Sequence, residues 1–551
     1  MLTLQEHGRA GLPLHDTFVL DVHGHFGGTV RFDIPDRSPE QVLTIMNRVG
    51  IDVLCVSHLL SLTGDNRRGN DLLAQALRDH PGRFVGYAVA NPHHANGIER
   101  ELDRCFDKLG FSGIKTHHYF HDYPTDGEGY ERMYRWASRR GGVPILGHSF
   151  GDACVTAGIA RRYPNVPFII AHIGGEYHGR WPNAVIDLAR ELPNVYLDLC
   201  STLGYFGGLE ALVERVGPDK ILYASDMNFQ TATHQIGRVL FAAIAEADKR
   251  KILGMNAARL FGIEPVVTKS PHTPAKNHER LTLFDANCAL GAIAATPPGS
   301  YDDAAGLLRV MDRAGVDEAL VYHSAAEHHD AALGNELLLN QTARQPRLHP
   351  CWVVLPNHTG ELAGPEALLG SMANHDVRCV RLFPNRIGPL RPYAYSDLLQ
   401  ALNRAGMVML LDLEVGHYNT QRAAIDWDGL DWLLGEHPRL AVVLPRAGQA
   451  MDRTLIPFLH SHPNLHIEMS YYVGTGGLER LCERVGAERV LFGTGLPRHE
   501  PGTAITLLTY SALDDRSKRL VAGENLRRLL SLGCEHGAAR HLNTPLIDAQ
   551  K

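Results

Sequence analysis

Phe18-Val19-Leu20-Asp21-Val22-His23-Gly24-His25 is an apolar run of strand length that ends in two imidazoles one residue apart. Residues i and i+2 of a strand share a face, so His23 and His25 can offer two nitrogens to one cation. Alone, such a pair is weak, because two surface histidines in a loop give the same pattern. It gains weight from the strands that follow.

Apolar runs of strand length recur at 53–58, 84–90, 113–117, 143–148, 168–172, 195–200 and 221–226, with helical patterns between them. Ser38-Pro39-Glu40-Gln41 supplies an N-cap, a proline at the first helical position and a capping box, which predicts a helix to about Arg48 that stops at Gly50. Further helices are expected within 70–79, over 98–109 and after Gly129. Continuous apolar strands separated by helices predict a parallel sheet covered by helices, and eight such units close a (β/α)8 barrel. His23, His25, His148, His172 and Asp226 all fall at C-terminal strand ends, the face on which barrel enzymes carry their chemistry. Each has an ordinary alternative: a hydrogen-bonded structural histidine, or an aspartate that caps the next helix. Gathered in one funnel, they make a candidate site.

The pattern then begins again. GGLEALVERVG at 207–217 is matched by GGLERLCERVG at 476–486, nine identities in eleven at an offset of 269. Met46 to Asp52 pairs with Met311 to Asp317, and Asn256 to Leu260 with Asn525 to Leu529. The α/β chain therefore divides into an arm (1–17), a first barrel (18–263), a linker rich in Pro, Lys, Thr and His (264–280), a second barrel (281–533) and a loose tail (534–551). A length of 551 residues suits two such domains.

Composition excludes several classes. The net charge of −7 is spread without long blocks, so no nucleic-acid partner is expected. No apolar run is long enough to cross a bilayer, and the start lacks a secretory pattern, so no membrane partner and a cytoplasmic location are expected. Nine cysteines without a CxxC pair suit reduced thiols.

With these residues in place, 18–263 resembles the amidohydrolase superfamily, in the branch that includes aminocarboxymuconate-semialdehyde decarboxylase. The resemblance is carried by Asp21-Val22-His23-Gly24-His25, Gly113-Ile114-Lys115, Gly147-His148, Ala171-His172-Ile173-Gly174-Gly175, Ser225-Asp226 and Asn256-Ala257-Ala258-Arg259-Leu260-Phe261. It implies that His23, His25, His148 and Asp226 bind one divalent metal, most simply zinc, and that His172 is the acid/base or oxyanion partner. A metal-bound hydroxide with Asp226 and His172 moving protons would hydrolyse an amide, a lactone or a similar bond of a small molecule. Non-oxidative decarboxylation of a small carboxylic acid is the alternative within the same ligand set, and a non-catalytic scaffold is the alternative outside it. In two-metal relatives a lysine at the position of Lys115 is carboxylated and bridges the ions; a polar contact to substrate is the simpler role. His117, His58 and Arg180 are further substrate-binding candidates, and His118, His121, Glu176 and His178 share their loops. A homo-oligomer stays open.

Placed on the first barrel, the second puts Asn287 and Ala289 on His23 and His25, Asp412 on His148, Pro445 on His172, Gly495 on Asp226 and Arg381 on Lys115. No ligand of the set survives, so this half is expected to fold without binding that metal. His323, Arg381, Asp412, Glu414 and Arg446 are left as candidates for a different ligand.

Overall fold

Sixteen short strands, all paired in parallel with their neighbours in sequence, form two sheets of eight in a computed structural model that describes residues 2–30, 33–34, 37–148, 152–175, 181–200, 204–266, 280–293, 297, 299–413 and 425–531. The first sheet runs β1 Leu20–Phe26, β2 Val53–His58, β3 Phe84–Ala88, β4 Gly113–His117, β5 Ile145–His148, β6 Phe168–Ile170, β7 Val195–Asp198 and β8 Ile221–Leu222. The second runs β9 Phe284–Leu290, β10 Glu318–His323, β11 Leu348–Val353, β12 Cys379–Leu382, β13 Val408–Leu411, β14 Ala441–Leu444, β15 Leu465–Glu468 and β16 Val490–Leu491. Main-chain bonds join first strand to last in each. Val22 N donates to Tyr223 O at 3.1 Å and Asp226 N to His23 O at 2.8 Å; Ala286 N donates to Phe492 O at 2.9 Å and Gly495 N to Asn287 O at 3.0 Å. The fold is two tandem (β/α)8 barrels.

Local chemistry explains the outer helices. Ser38 accepts from Gln41 N in the expected capping box, Pro39 opens the helix Pro39–Val49, and Gly50 ends it at φ 94°, a conformation glycine adopts without a Cβ penalty. Buried asparagines bond carbonyls that helix–strand packing would otherwise orphan. Asn70 Nδ2 donates to Val89 O and Asn335 Nδ2 to Val353 O, each at 2.9 Å, at equivalent places in the two barrels.

Several strands stop short of the apolar runs that predicted them. β6 ends at Ile170 because His172 and Ile173 turn left-handed, at φ 57° and 54°, and β7 and β8 end at Asp198 and Leu222. The arm is more ordered than its sequence suggested. Leu4–Ala10 is a helix with a Thr3–Glu6 capping box, and the segment after it bonds both barrels: Tyr510 OH donates to Leu12 O at 2.8 Å and Leu14 N to Val49 O at 3.0 Å. Most of the expected linker and all of the expected tail lie outside the described residues.

The barrels pack through matching surfaces. Thr231 N donates to Val473 O at 2.8 Å and Glu500 N to Gly204 O at 2.9 Å, and both residues of the second pair stand 269 positions from their counterparts in the first. The helices Ala232–Gln235 and Gly237–Leu240 lie against Pro501–Thr509, their own repeat. One surface meeting its copy is the geometry of an isologous dimer. Strand register also corrects one equivalence. Ile170 pairs with Leu197 and Leu444 with Ile467, so Arg446, rather than Pro445, falls on His172; Arg446 is likewise left-handed, at φ 66°.

Candidate metal centre

At the C-terminal mouth of the first barrel, His23 and His25 leave β1 on one face, as their i, i+2 spacing requires, and meet Asp226 just beyond β8. His25 Nε2 lies 3.2 Å and His23 Nε2 3.6 Å from Asp226 Oδ1, and all three side chains are buried. Asp226 takes φ 60°, a conformation uncommon for a residue with a Cβ and typical of functional positions.

The far nitrogen of each imidazole is occupied. His23 Nδ1 donates to Asp198 Oδ2 at 2.8 Å, and His25 Nδ1 is 3.0 Å from Ser57 Oγ. Fixing Nδ1 turns both Nε2 atoms toward the carboxylate, the support that metal-binding histidines characteristically have. Burial holds His23 and His25 well below the ordinary imidazole range, with the Lys115 charge adding to it, so both are neutral lone-pair donors. Burial also pushes Asp226 up to about 6, against the pull of His172 and Lys115. Two neutral imidazoles and a carboxylate, mutually within 4.8 Å, fit a divalent ion of intermediate softness.

His23, His172 and Cys200 form a second such group. It is the poorer site, because His23 Nδ1 already serves Asp198 and burial pushes the Cys200 thiol well up.

The remaining expected residues divide. His172 borders the site, its ring 5.2 Å from that of His23; its N–H donates to Asp198 Oδ1 at 2.8 Å and its Nδ1 to Cys200 O at 3.1 Å. His148 lies beside the three donors without joining that set: its ring stacks 3.9 Å from His117 and meets His172 edge-on at 4.8 Å. Lys115 Nζ is 2.7 Å from His23 Nε2, and burial pulls the amine down to about 8. His58 and His117 cap helices: His58 Nδ1 accepts from Leu60 N and His117 Nδ1 from Phe120 N, both at 3.1 Å. His323, the counterpart of His58, makes the same cap to Ala325 N. Arg180, Glu176, His178 and Glu414 lie outside the described residues.

Asp198, Ser57 and Cys200 were not singled out from sequence. Asp198 could have been: it stands in the seventh apolar run, where a carboxylate among apolar residues needs a partner.

The second barrel keeps this scaffold with other chemistry. Glu468, in the place of Asp198, accepts from Asn287 Nδ2 at 3.0 Å, and Arg381, in the place of Lys115, donates to Asn287 Oδ1 at 3.0 Å. Gly495 keeps the left-handed turn of Asp226 at φ 75° without a side chain.

Residues 20–263 match the family model described as amidohydrolase. Among curated proteins, the chain is 26% identical over 246 residues to the gamma-resorcylate decarboxylase of Polaromonas sp. (strain JS666 / ATCC BAA-500), covering 35% of this chain and 75% of that protein. It is 22% identical over 241 residues to the 2-amino-3-carboxymuconate-6-semialdehyde decarboxylase of Dictyostelium discoideum, covering 36% and 66%. Among solved structures, a dihydroxybenzoic acid decarboxylase from Polaromonas sp. JS666, with bound manganese and the inhibitor 2-nitroresorcinol, aligns with a TM-score of 0.34 and 21% identity over 45% of this chain and 97% of that one.

Proposed function

The first barrel belongs to the amidohydrolase superfamily, and from that premise we propose that this chain is a divalent-metal-dependent, non-oxidative decarboxylase of a small aromatic carboxylic acid. Hydrolysis, the first expectation from the resemblance, gives way to its alternative, because the sequence relatives reported above are decarboxylases. The observation that carries the reading is the convergence of His23, His25 and Asp226, with Asp198 and Ser57 fixing the two imidazoles.

His23, His25 and Asp226 would hold the ion. Bound there, it would draw charge from the oxygens of the substrate acid. Zinc and manganese both suit two imidazoles and a carboxylate, so the reading commits to a divalent ion rather than to zinc. His148, the fourth ligand implied by the resemblance, lies one ring away, and the metal content of His148→Ala decides its part.

The reaction needs one proton delivered to the ring carbon that carries the carboxylate. The C–C bond then breaks, its electron pair returns to the ring and carbon dioxide leaves. Asp226, the buried carboxyl beside both imidazoles, is the group placed to pass on such a proton. His172, held by its Nδ1 bond to the Cys200 carbonyl, borders the donors as the second candidate to handle this proton. Lys115, buried beside the donors, supplies a positive charge against a substrate carboxylate.

The test is the full chain loaded with manganese or zinc, assayed for carbon dioxide release from a panel of hydroxybenzoates that includes gamma-resorcylate, beside an amide and lactone panel. Release from a hydroxybenzoate, lost in His23→Ala, is expected. Turnover confined to amides or lactones would restore the hydrolase, and no turnover on either panel would favour a scaffold.

A further inference from the structure

The second barrel lacks the three metal donors and carries guanidinium groups, Arg381 and Arg446, in the places of Lys115 and His172. Arg381, buried at the end of β12, reaches across the mouth: Nη1 donates to Asn287 Oδ1 at 3.0 Å and Nη2 to Asp412 Oδ2 at 2.5 Å, so the group spans from β9 to the end of β13. Its planar face lies over Tyr322, 4.2 Å from the ring centroid, and Phe383, 5.3 Å away. Among the described residues, its buried Nε has no hydrogen-bond partner.

Arg446 stands where the first barrel aims His172, on the same left-handed backbone. Among the described residues it makes a single ion pair, Nη2 to Asp412 Oδ2 at 3.3 Å, with the carboxylate that Arg381 already holds. Two guanidinium groups thus share one carboxylate. The pattern recurs at the rim, where buried Glu327 is paired with Arg386 at 2.9 Å and Arg498 at 3.3 Å. Two further buried carboxylates nearby are bonded to groups other than arginine: Glu468 to Asn287 and Ser470, and Asp285 to the main-chain N–H groups of Asn287 and Thr494 and to the Thr494 hydroxyl. His499 fills the space over Gly495, where the first barrel has the Asp226 side chain, and bonds Tyr471 OH through Nε2 at 3.1 Å.

We propose that the mouth of the second barrel is an anion site that takes a small carboxylate on the guanidinium of Arg446, with Arg381 and Asp412 fixing that group in place. A guanidinium presents a planar fork that matches a carboxylate, and Arg446 has donors to spare beyond its one long ion pair. The site is independent of the first barrel's metal and of the reaction proposed there.

Titration calorimetry of the metal-loaded full chain with benzoate tests this, comparing the parent with Arg446→Gln and Arg446→Lys. The parent is expected to show a benzoate site that Arg446→Gln weakens by about tenfold or more and Arg446→Lys, which keeps the charge and loses the fork, by less. Metal content of the first barrel stays at the parent level in both variants. If Arg446→Gln does not fold, the ordering of parent and Arg446→Lys carries the test. Superimposable isotherms for parent and variants, or no benzoate uptake by the parent up to about 10 mM, overturn the proposal.

Discussion

Asp198 Oδ2 lies 2.8 Å from His23 Nδ1, and that bond sets which nitrogen of His23 faces Asp226. The same carboxylate accepts the main-chain N–H of His172 at 2.8 Å, so one β7 residue positions both neighbours. Glu468 keeps the equivalent contact to Asn287 in a barrel that lacks the donors. The buried acid is thus part of the barrel's construction as well as of its site.

Asp198→Asn keeps the shape and removes the charge that orients His23. Metal affinity is expected to fall about 10- to 100-fold with the fold retained, read by chelator competition. A parent-like affinity would mean that His23 is oriented by something else.

Gly237 packs on the carbonyl of Gly502 across the inter-barrel surface, and a Cβ there would run into backbone. Gly237→Val is expected to cost about 1–3 kcal/mol of stability by overpacking, read by denaturant unfolding. An unchanged unfolding midpoint would show that the interface yields more easily than this packing implies.

Glu500, buried between the barrels, has its pKa pushed from 4.5 up to about 8, by burial first and the Glu210 charge second. Between those values the unfolded chain has lost this proton and the folded chain keeps it. Folding therefore takes up a proton, and this contribution falls as pH rises from about 5 to about 8. Glu500→Gln removes the penalty. Its stability gain over the parent is expected to reach about 1–3 kcal/mol near pH 8 and to vanish near pH 5. A gain independent of pH would contradict it.

Much of this was legible in the sequence because each step rested on a periodicity or a repeat. The apolar runs and the match of 207–217 with 476–486 led to both barrels, and the His23–His25 spacing led to one face of one strand. Strand ends were read too long where a residue such as His172 turns left-handed, a choice made by the crowded mouth rather than by local propensity. That turn also shifted the reading from Arg446 to Pro445. Asp198 and Ser57 escaped because their role is a contact with β1 that only closure of the barrel creates. His58 and His117 looked like pocket residues because a capping histidine and a substrate-binding one occupy the same strand-end position.

Metal content per chain, measured by plasma mass spectrometry on the full-length protein reconstituted with one divalent ion, tests the division between the barrels most directly. One ion per chain is predicted for the parent and for Asn287→Ala, and close to none for His25→Ala and Asp226→Ala. Two ions per chain, or equal losses from His25→Ala and Asn287→Ala, would contradict it.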